Sequence, residues 1–375
     1  MKRQPCALLM TTQAYSAHGG VQSYSRRLGE VMSAWSDSRC MALNYVSLLD
    51  TDYVDGLHSQ PARYEHFGGA GGSKPRFVKM AASMARQGHP AVAVVAHIGI
   101  APVALMLKAA GWLRSYIVVL HGIEAWDRVG AADRAAARAA STIVATTAYT
   151  AERFADNNGI APELLKVVPL ALPYLEVEPT DERTGFSSGT LRVLSVGRLA
   201  ASDAYKGYDV LIEAVGRARR CGARIELSIV GDGDDSPRLK ERARNLGLAA
   251  AVQFAGSVSD ARLREEFSQC DVFALPSRSE GFGIVFLEAM RFGKPCIGGN
   301  HGGTPEVIGH GVDGFLVEHG DADALAERLM QLWKEPELRK TMGERAREKV
   351  KNAYLFPHMR DRWLSVLDCA AGVNI

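Results

Sequence analysis

Two hydrophobicity patterns alternate along the chain. Short runs of apolar and β-branched residues are followed by longer segments in which apolar positions recur every three or four residues. The first pattern is typical of buried strands and the second of amphipathic helices. Their alternation predicts parallel sheets covered by helices on both faces. In the first half, the predicted strands are Ala7–Thr11, Met41–Leu49, Val92–Ala96, Ile117–Leu120 and Thr142–Thr146.

The alternation stops after about residue 168, where Pro, Gly and Ser become frequent, and this composition predicts a linker. It then restarts with a second set of strands, interspersed with amphipathic segments such as Asp209–Arg220 and Asp321–Trp333. These strands are Leu191–Val196, Ile225–Val230, Val252–Phe254, Val272–Leu275, Pro295–Gly298 and Gly314–Val317.

The two sets of strands predict an α/β chain with two Rossmann-like, doubly wound domains that face each other across a cleft. The predicted boundaries are 1–172 for the first domain, 173–190 for the linker and 191–355 for the second domain. A final helix, 356–375, is expected to pack back toward the first domain.

Composition narrows the class of protein. Apolar residues make up 47% and charged residues 23% of the 375 positions, as in ordinary globular proteins. The apolar runs are far shorter than the roughly 20 residues of a membrane-spanning helix, and the N-terminal segment lacks the pattern of a secretory signal. We therefore expect a cytoplasmic protein. The net charge of +2 argues against nucleic acid as a partner, and the six scattered cysteines indicate neither zinc nor disulfides.

The charge is unevenly distributed. Residues 1–170 carry 17 Lys and Arg against 12 Asp and Glu, so this half has a charge of +5 and the remainder −3. Within the positive half, Lys74–Arg86 combines basic residues with Phe77, Met80 and Met84. The stretch fits a helix on an anionic bilayer equally as well as a helix covering the sheet, and both interpretations stay open.

Loops after the carboxyl ends of parallel strands are where ligands bind in such sheets. Gly19 and Gly20 follow the first strand and would let an anion approach backbone N–H groups, although a plain tight turn is an equal alternative. Arg198 and Lys206 follow the strand Leu191–Val196. A planar guanidinium and a mobile ammonium suit a diphosphate, while simple solvated surface cations are the ordinary alternative.

The most specific motif spans residues 276–290. Glu280 stands in a glycine-flanked loop, and Glu288 follows eight residues later in a predicted helix. A carboxylate among Phe286, Leu287, Ala289 and Met290 indicates a polar partner such as ribose hydroxyls.

Further candidates follow the strand that ends at Leu120. His121 stands at the carboxyl end of this strand, directly before Gly122. Glu124 and Trp126 are candidates for binding an acceptor sugar, because carboxylates accept hydrogen bonds from hydroxyl groups and aromatic faces pack on sugar rings. Asp232-Gly233-Asp234 formally matches a metal-binding triplet, but its context predicts a turn before a helix, so we expect no metal.

Taken together, these motifs resemble the family 4 glycosyltransferases of the GT-B fold. The resemblance runs from Gly19 to about Val317, is weak in the first domain and is specific in the second. It implies transfer from a nucleotide sugar with retention of anomeric configuration and no essential metal or cofactor. The motifs are Gly19-Gly20, Gly197-Arg198-Leu199, Lys206-Gly207, Glu280-x7-Glu288 and Gly302-Gly303-Thr304-Pro305-Glu306-Val307-Ile308.

The resemblance implies that residues 1–172 form the acceptor-side domain and residues 191–355 the nucleotide-sugar-binding domain. It also implies residue roles. The backbone of Gly19 and Gly20 would contact the diphosphate, with Arg198 and Lys206 as its charged clamp. Around the donor, the implied roles are Glu280 on the sugar hydroxyls, Glu288 on the ribose, Gly281, Phe282 and Gly283 lining the sugar and phosphates, Val258 and Ile284 beside the base, and His121 against the donor sugar.

The function implied is hexose transfer from GDP-mannose or a UDP-sugar to a glycan or lipid-linked acceptor, in bacterial cell-surface polysaccharide synthesis. Peripheral attachment to the inner face of the plasma membrane accompanies the lipid-linked alternative. A nucleotide-sugar epimerase of the same fold and a transferase with a soluble acceptor remain as alternatives. A nicotinamide dehydrogenase would need a dinucleotide fingerprint that this sequence lacks. A protein that binds the nucleotide sugar without catalysis would not need His121 and Glu280, so the presence of both residues favours an enzyme.

Overall fold

The computed structural model describes residues 5–16, 19–52, 62–173 and 189–372. The chain forms two compact units. The first unit consists of Met1–Pro173 and Phe356–Ile375, and the second of Tyr174–Leu355. Apart from residues 173, 189 and 190, the predicted linker lies outside the described residues.

The first unit contains a parallel sheet, which has seven strands in the described part of the chain and the order β3-β2-β1-β4-β5-β6-β7. The strands are β1 Cys6–Thr11, β2 Ala42–Ser47, β3 His66–Gly69, β4 Val92–Val95, β5 Tyr116–Leu120, β6 Thr142–Ala145 and β7 Leu165–Val167. The sequence pattern did not predict the edge strands β3 and β7, because β3 ends in two glycines and β7 has only three residues.

Helices cover both faces of this sheet. They are α1 Gly20–Asp37, α2 Lys74–Gly88, α3 Ala101–Ala109, α4 Ala131–Ala139 and α5 Ala148–Asn158. The apolar positions of α2, α3, α4 and α5 pack with those of the strands into one core, in which Leu8, Val95, Val118 and Phe154 are fully buried. Burial of this apolar surface stabilises the layered arrangement.

The basic helix α2 uses its apolar side within the unit. Phe77 is buried, and Met80 and Met84 pack against the same core, whereas Lys74 and Lys79 are exposed. The apolar side of this stretch therefore covers the sheet, as one of the two interpretations predicts. The exposed side of the helix is cationic. None of the helices in the described ranges combines the length and apolarity required for a membrane span.

The second unit contains a six-stranded parallel sheet, counted over the described residues, in the order β10-β9-β8-β11-β12-β13. The strands are β8 Leu191–Val196, β9 Ile225–Val230, β10 Val252–Gly256, β11 Val272–Leu275, β12 Cys296–Gly299 and β13 Gly314–Val317. The helices are α6 Tyr208–Arg220, α7 Ser236–Asn245, α8 Asp260–Gln269, α9 Ile284–Arg291, α10 Thr304–Val307, α11 Ala322–Lys334 and α12 Pro336–Ala353.

The last helix, α13 (Phe356–Ala371), belongs to the first unit and packs on α1. The indole Nε1 of Trp363 donates a 3.0 Å hydrogen bond to the Tyr24 hydroxyl, and Trp35 Nε1 donates one of 2.8 Å to Asp368. Both Trp side chains are fully buried. These contacts fix the end of the chain on the first unit.

Candidate active site

The loop after β8 carries two cations around one buried carboxylate. The guanidinium of Arg198 donates from Nε and Nη2 to the two carboxylate oxygens of Asp203, over 2.9 and 3.0 Å. Lys206 Nζ lies 3.9 Å from the same carboxylate. The Asp203 side chain is 6% exposed, whereas that of Arg198 is 68% exposed. Asp203 raises the pKa of Arg198 and holds its guanidinium in a fixed orientation at the surface.

Sequence reasoning singled out both cations but missed Asp203. The only sequence feature that pointed to Asp203 was its position between Arg198 and Lys206, the two predicted phosphate ligands. Gly207 has a left-handed φ of 75°, and a methyl group on its Cα would lie 2.8 Å from the carbonyl oxygen of Pro276. This close approach of the two backbones places Lys206 near the end of β11.

Glu280 belongs to the same group of charges. Burial raises the pKa of Glu280, and although the nearby Lys206 ammonium and the Ser277 hydroxyl lower it, the net shift is upward. Its loop is held by backbone hydrogen bonds: Gly303 N–H donates to the Glu280 carbonyl oxygen over 2.8 Å, and Arg278 N–H to that of Tyr205 over 2.8 Å. The structure therefore brings Lys206, Asp203 and Glu280 together at the carboxyl edge of the second sheet.

Helix α9 starts directly after this loop. Gly283 is its N-cap, with φ of 83° and no side-chain capping hydrogen bond. Gly281 and Ile284 are half-buried, and Phe282 is buried with its ring edge-on to Tyr354. The first N–H groups of a helix that no side chain caps carry a partial positive charge and attract anions. The helix start is thus suited to the phosphate or sugar role implied for this loop.

Glu288 lies on the second turn of α9 and is half-buried. Burial, and secondarily the negative charge of Asp260, raise the pKa of Glu288 from 4.5 to about 7. No hydrogen bond or ion pair to its carboxylate is found among the described residues. Asp260 begins α8, two residues after the half-buried Val258. The loop between β10 and α8 therefore lies near a carboxylate that lacks a partner.

In the first unit, His121 follows β5 and is 7% exposed. Its Nε2 lies 2.7 Å from the carbonyl oxygen of Ala96, which can only accept, so Nε2 carries the hydrogen. Burial lowers the pKa of the imidazole, while Glu124 and the Ala96 carbonyl raise it less strongly. The neutral ring then presents Nδ1 as an acceptor, and this atom is buried with no partner. His97, at the end of β4, has its ring centre 6.4 Å away and was not predicted.

The two acceptor-side candidates have roles inside the first unit. The Glu124 carboxylate accepts a 2.6 Å hydrogen bond from the backbone N–H of His121 and so supports the His121 loop. Trp126 is 7% exposed, donates from Nε1 to Thr150 Oγ1 over 3.0 Å and meets the Tyr149 ring edge-on. Its indole therefore offers little open face for stacking on a sugar.

The loop after β1 is organised by Asp50, another carboxylate that sequence reasoning missed. Its oxygens accept from the backbone N–H groups of Ala14 and Ser16 (both 2.9 Å), from Ser16 Oγ (2.6 Å) and from Tyr45 Oη (2.8 Å). Burial alone would raise the pKa of Asp50, but these hydrogen bonds outweigh it and lower the pKa.

The predicted Gly19-Gly20 pair stands at the start of α1. Gly19 is the N-cap with no side-chain capping hydrogen bond, and α1 begins at Gly20. The two preceding residues lie outside the described part of the chain. The α1 terminus thus offers backbone N–H groups, as the diphosphate role requires.

The Asp232-Gly233-Asp234 triplet forms turns. Asp232 Oδ1 accepts from Gly233 N–H and Asp234 Oδ1 from Ala201 N–H, each over 2.8 Å. In the described ranges, no group of three or more His, Cys, Asp or Glu residues is arranged to hold a metal ion.

Comparison with known proteins identifies the class. Residues 177–349 match the family described as "Glycosyl transferases group 1". The chain is 31% identical over 262 residues to the GDP-mannose-dependent alpha-(1-6)-phosphatidylinositol monomannoside mannosyltransferase of Mycolicibacterium smegmatis, a match that covers 65% of this chain and 68% of that relative. The chain therefore belongs to the group 1 glycosyltransferases.

Other relatives match over shorter segments. N-acetyl-alpha-D-glucosaminyl L-malate synthase of Bacillus anthracis is 43% identical over 125 residues, which cover 33% of this chain and 32% of that enzyme. The matches thus span only about a third to two fifths of the length of several such relatives.

The fold has solved counterparts. HepE of Anabaena, crystallised in complex with UDP, superposes with a TM-score of 0.77 at 20% identity, covering 97% of this chain and 99% of that one. This similarity confirms the predicted fold class, GT-B with two Rossmann-like halves. The family match confirms the predicted resemblance to glycosyltransferases.

Proposed function

We propose that this glycosyltransferase moves a hexose from GDP-mannose or a UDP-sugar, with retention of anomeric configuration and without a metal, to a glycan or lipid-linked acceptor in bacterial cell-surface polysaccharide synthesis. The observation that carries the proposal is the group of charges formed by Arg198, Lys206 and Glu280 after β8 and β11. The Mycolicibacterium relative, named as GDP-mannose-dependent, and the UDP complex of HepE support the two donor classes.

Each part of the donor has a proposed partner in the second unit. The negatively charged diphosphate binds at Arg198 and Lys206, next to the start of α9. Glu280 accepts hydrogen bonds from hydroxyls of the sugar. Glu288 accepts hydrogen bonds from the ribose, which would supply the partner that its half-buried carboxylate lacks. Val258 and Ile284 lie beside the base.

For the chemical step we propose attack of the acceptor hydroxyl on the face from which the nucleoside diphosphate departs. The bond from the anomeric carbon to the phosphate oxygen breaks, the bond to the acceptor oxygen forms on the same face, and the leaving phosphate takes the acceptor proton. Arg198 and Lys206 stabilise the negative charge that grows on the diphosphate, which is where their effect on the rate arises. These two cations supply the positive charge that a metal supplies in other transferases.

His121 is proposed to hold the donor sugar. Its Nδ1 is a fixed hydrogen-bond acceptor because Nε2–H is committed to Ala96. A sugar hydroxyl that donates to Nδ1 would satisfy the one buried ring atom that has no partner. The support of the His121 backbone by Glu124 keeps the ring in this orientation.

The proposed setting is the cytoplasm, with peripheral attachment at the inner face of the plasma membrane. The positive charge of residues 1–170 and the exposed cations of α2 support it. Attachment would be electrostatic, since the apolar residues of α2 are used in the core.

The test begins with thermal-shift measurements of the purified protein against GDP-mannose, UDP-glucose, UDP-galactose and UDP-N-acetylglucosamine, because a ligand that binds only the folded state raises the melting temperature. The stabilising donor is then incubated with polyprenyl-linked or soluble glycan acceptors, and the anomeric configuration of the product is read by NMR. Retention supports the proposal and inversion contradicts it. Conversion of the donor sugar without any acceptor would indicate an epimerase.

A further inference from the structure

Tyr208 has a buried hydroxyl group for which the folded chain provides no partner. The residue begins α6, directly after the Lys206-Gly207 pair, and is 5% exposed. Its Oη is buried and makes no hydrogen bond among the described residues. A buried hydroxyl without a partner is costly, so a native structure that keeps one calls for an explanation.

The position of the hydroxyl suggests what its partner is. A methyl group built on Gly197 would lie 2.6 Å from Tyr208 Oη and 3.1 Å from Lys206 Nζ. The hydroxyl and the ammonium thus lie on the same side of Gly197, and they can approach it this closely only because this residue has no side chain. The φ of Gly197, 155°, also disfavours any other residue there.

The electrostatic surroundings keep the hydroxyl protonated. Burial raises the pKa of Tyr208, and the negative charges of Glu280 and Asp203 raise it further. The phenol is therefore a hydrogen-bond donor at any physiological pH. A donor beside an ammonium group suits an anionic oxygen, since both would contact the same negative charge.

We propose that the Tyr208 hydroxyl donates a hydrogen bond to a phosphate oxygen of the nucleoside diphosphate, over Gly197 and beside Lys206 Nζ. The inference rests on the proposed function, because it assumes that the diphosphate binds at Arg198 and Lys206. It adds a neutral donor to the two cations.

Isothermal titration of the full-length protein with UDP and with GDP tests the proposal. Tyr208→Phe removes only the hydroxyl. We expect it to weaken binding of the nucleoside diphosphate about tenfold or more, while the stability of the unliganded protein stays equal or rises, because no bond within the chain is lost. Tyr116→Phe is the matched control. Its hydroxyl donates to the Ala136 carbonyl oxygen over 2.6 Å in the first unit, so this variant should lose stability and keep its affinity.

Two results would overturn the inference. Equal affinity of wild type and Tyr208→Phe for UDP and GDP would show that the Tyr208 hydroxyl does not contact the phosphate. A loss of stability in Tyr208→Phe with unchanged affinity would point to a bound water in the small cavity that Tyr208 shares with Leu199 and Leu239. If the wild type binds neither UDP nor GDP, the proposed function fails and the inference with it, an outcome distinct from the other two.

Discussion

Replacement of Glu288 by Gln should stabilise the protein at neutral and alkaline pH. The pKa of Glu288 is raised from 4.5 to about 7, so between these values the folded state keeps a proton that the unfolded state has lost. Stability from this group therefore falls as pH rises through that window. At about 1.4 kcal/mol per pH unit the full effect would be about 3 kcal/mol, and partial solvent access reduces it to about 1–3 kcal/mol.

The assay is urea unfolding of wild type and Glu288→Gln at half-unit steps from pH 4.5 to 8.5, followed by circular dichroism. The difference in free energy of unfolding should grow in favour of the variant up to about pH 7 and then stay constant. Glu226→Gln is the control, since Glu226 is an exposed carboxylate in β9 and should show no such trend. Parallel wild-type and Glu288→Gln curves would refute the reasoning.

The same group should link donor binding to protons. Ribose hydroxyls donate to the ionised carboxylate, so binding lowers the pKa of Glu288 and releases a proton near pH 7. Titration of the nucleoside diphosphate in buffers of different ionisation enthalpy measures this release. Glu288→Gln should release fewer protons and bind more weakly, by about 1–3 kcal/mol. Equal proton release by both proteins would argue against the ribose contact.

Three further predictions concern other parts of the chain. Asp50→Asn should cost about 1–3 kcal/mol at neutral pH. Because hydrogen bonds lower the Asp50 pKa from 3.8, its contribution exists above that value and disappears as pH falls through the folded pKa, which melting curves from pH 2.5 to 7 would show. Activity should persist in excess EDTA. If EDTA abolishes activity and added Mg²⁺ or Mn²⁺ restores it, Asp232 and Asp234 become candidate metal ligands again. At low salt, wild type should sediment with anionic vesicles and a Lys74→Ser/Lys79→Ser variant should stay in the supernatant. Equal sedimentation of the two proteins would exclude α2 as the membrane-binding surface.

Much of the fold followed from local hydrophobicity. Leu191–Val196 and Ile225–Val230 were predicted with the boundaries that β8 and β9 have in the structure. Buried parallel strands give unbroken apolar runs, so they are recognisable from the chain alone. The edge strand His66–Gly69 has only one large apolar residue and is a strand because it pairs with β2. Such tertiary pairing leaves no local pattern.

The candidate site divides in a similar way. Arg198, Lys206, Glu280 and Glu288 stand out because charged residues follow apolar strands or interrupt an apolar helix. Asp203 does not stand out, since its bidentate bond to Arg198 depends on the conformation of the loop after β8. Asp50 was missed because the five groups that donate to it include four from a loop 34 to 36 residues earlier in the chain.

Trp126 illustrates the opposite difficulty. An aromatic residue near a strand end suggested a sugar-stacking surface, yet the indole is packed against Tyr149 and bonded to Thr150. Whether an aromatic ring is exposed depends on neighbours that come from a different helix, and the order of residues around Trp126 carries no signal for them.

The central claim is that Arg198 and Lys206 recognise the diphosphate of the donor, and nucleotide binding tests it most directly. Titrations compare a nucleoside with its diphosphate, for uridine and for guanosine, in wild type and in an Arg198→Ala/Lys206→Ala variant. Wild type should prefer one diphosphate over its nucleoside by about 100-fold or more, since charge-assisted bonds to two cations contribute roughly 1.5–3 kcal/mol each. The folded double variant should lose nearly all of this preference. If it still prefers the diphosphate as strongly as wild type does, the phosphates bind elsewhere and the account is wrong.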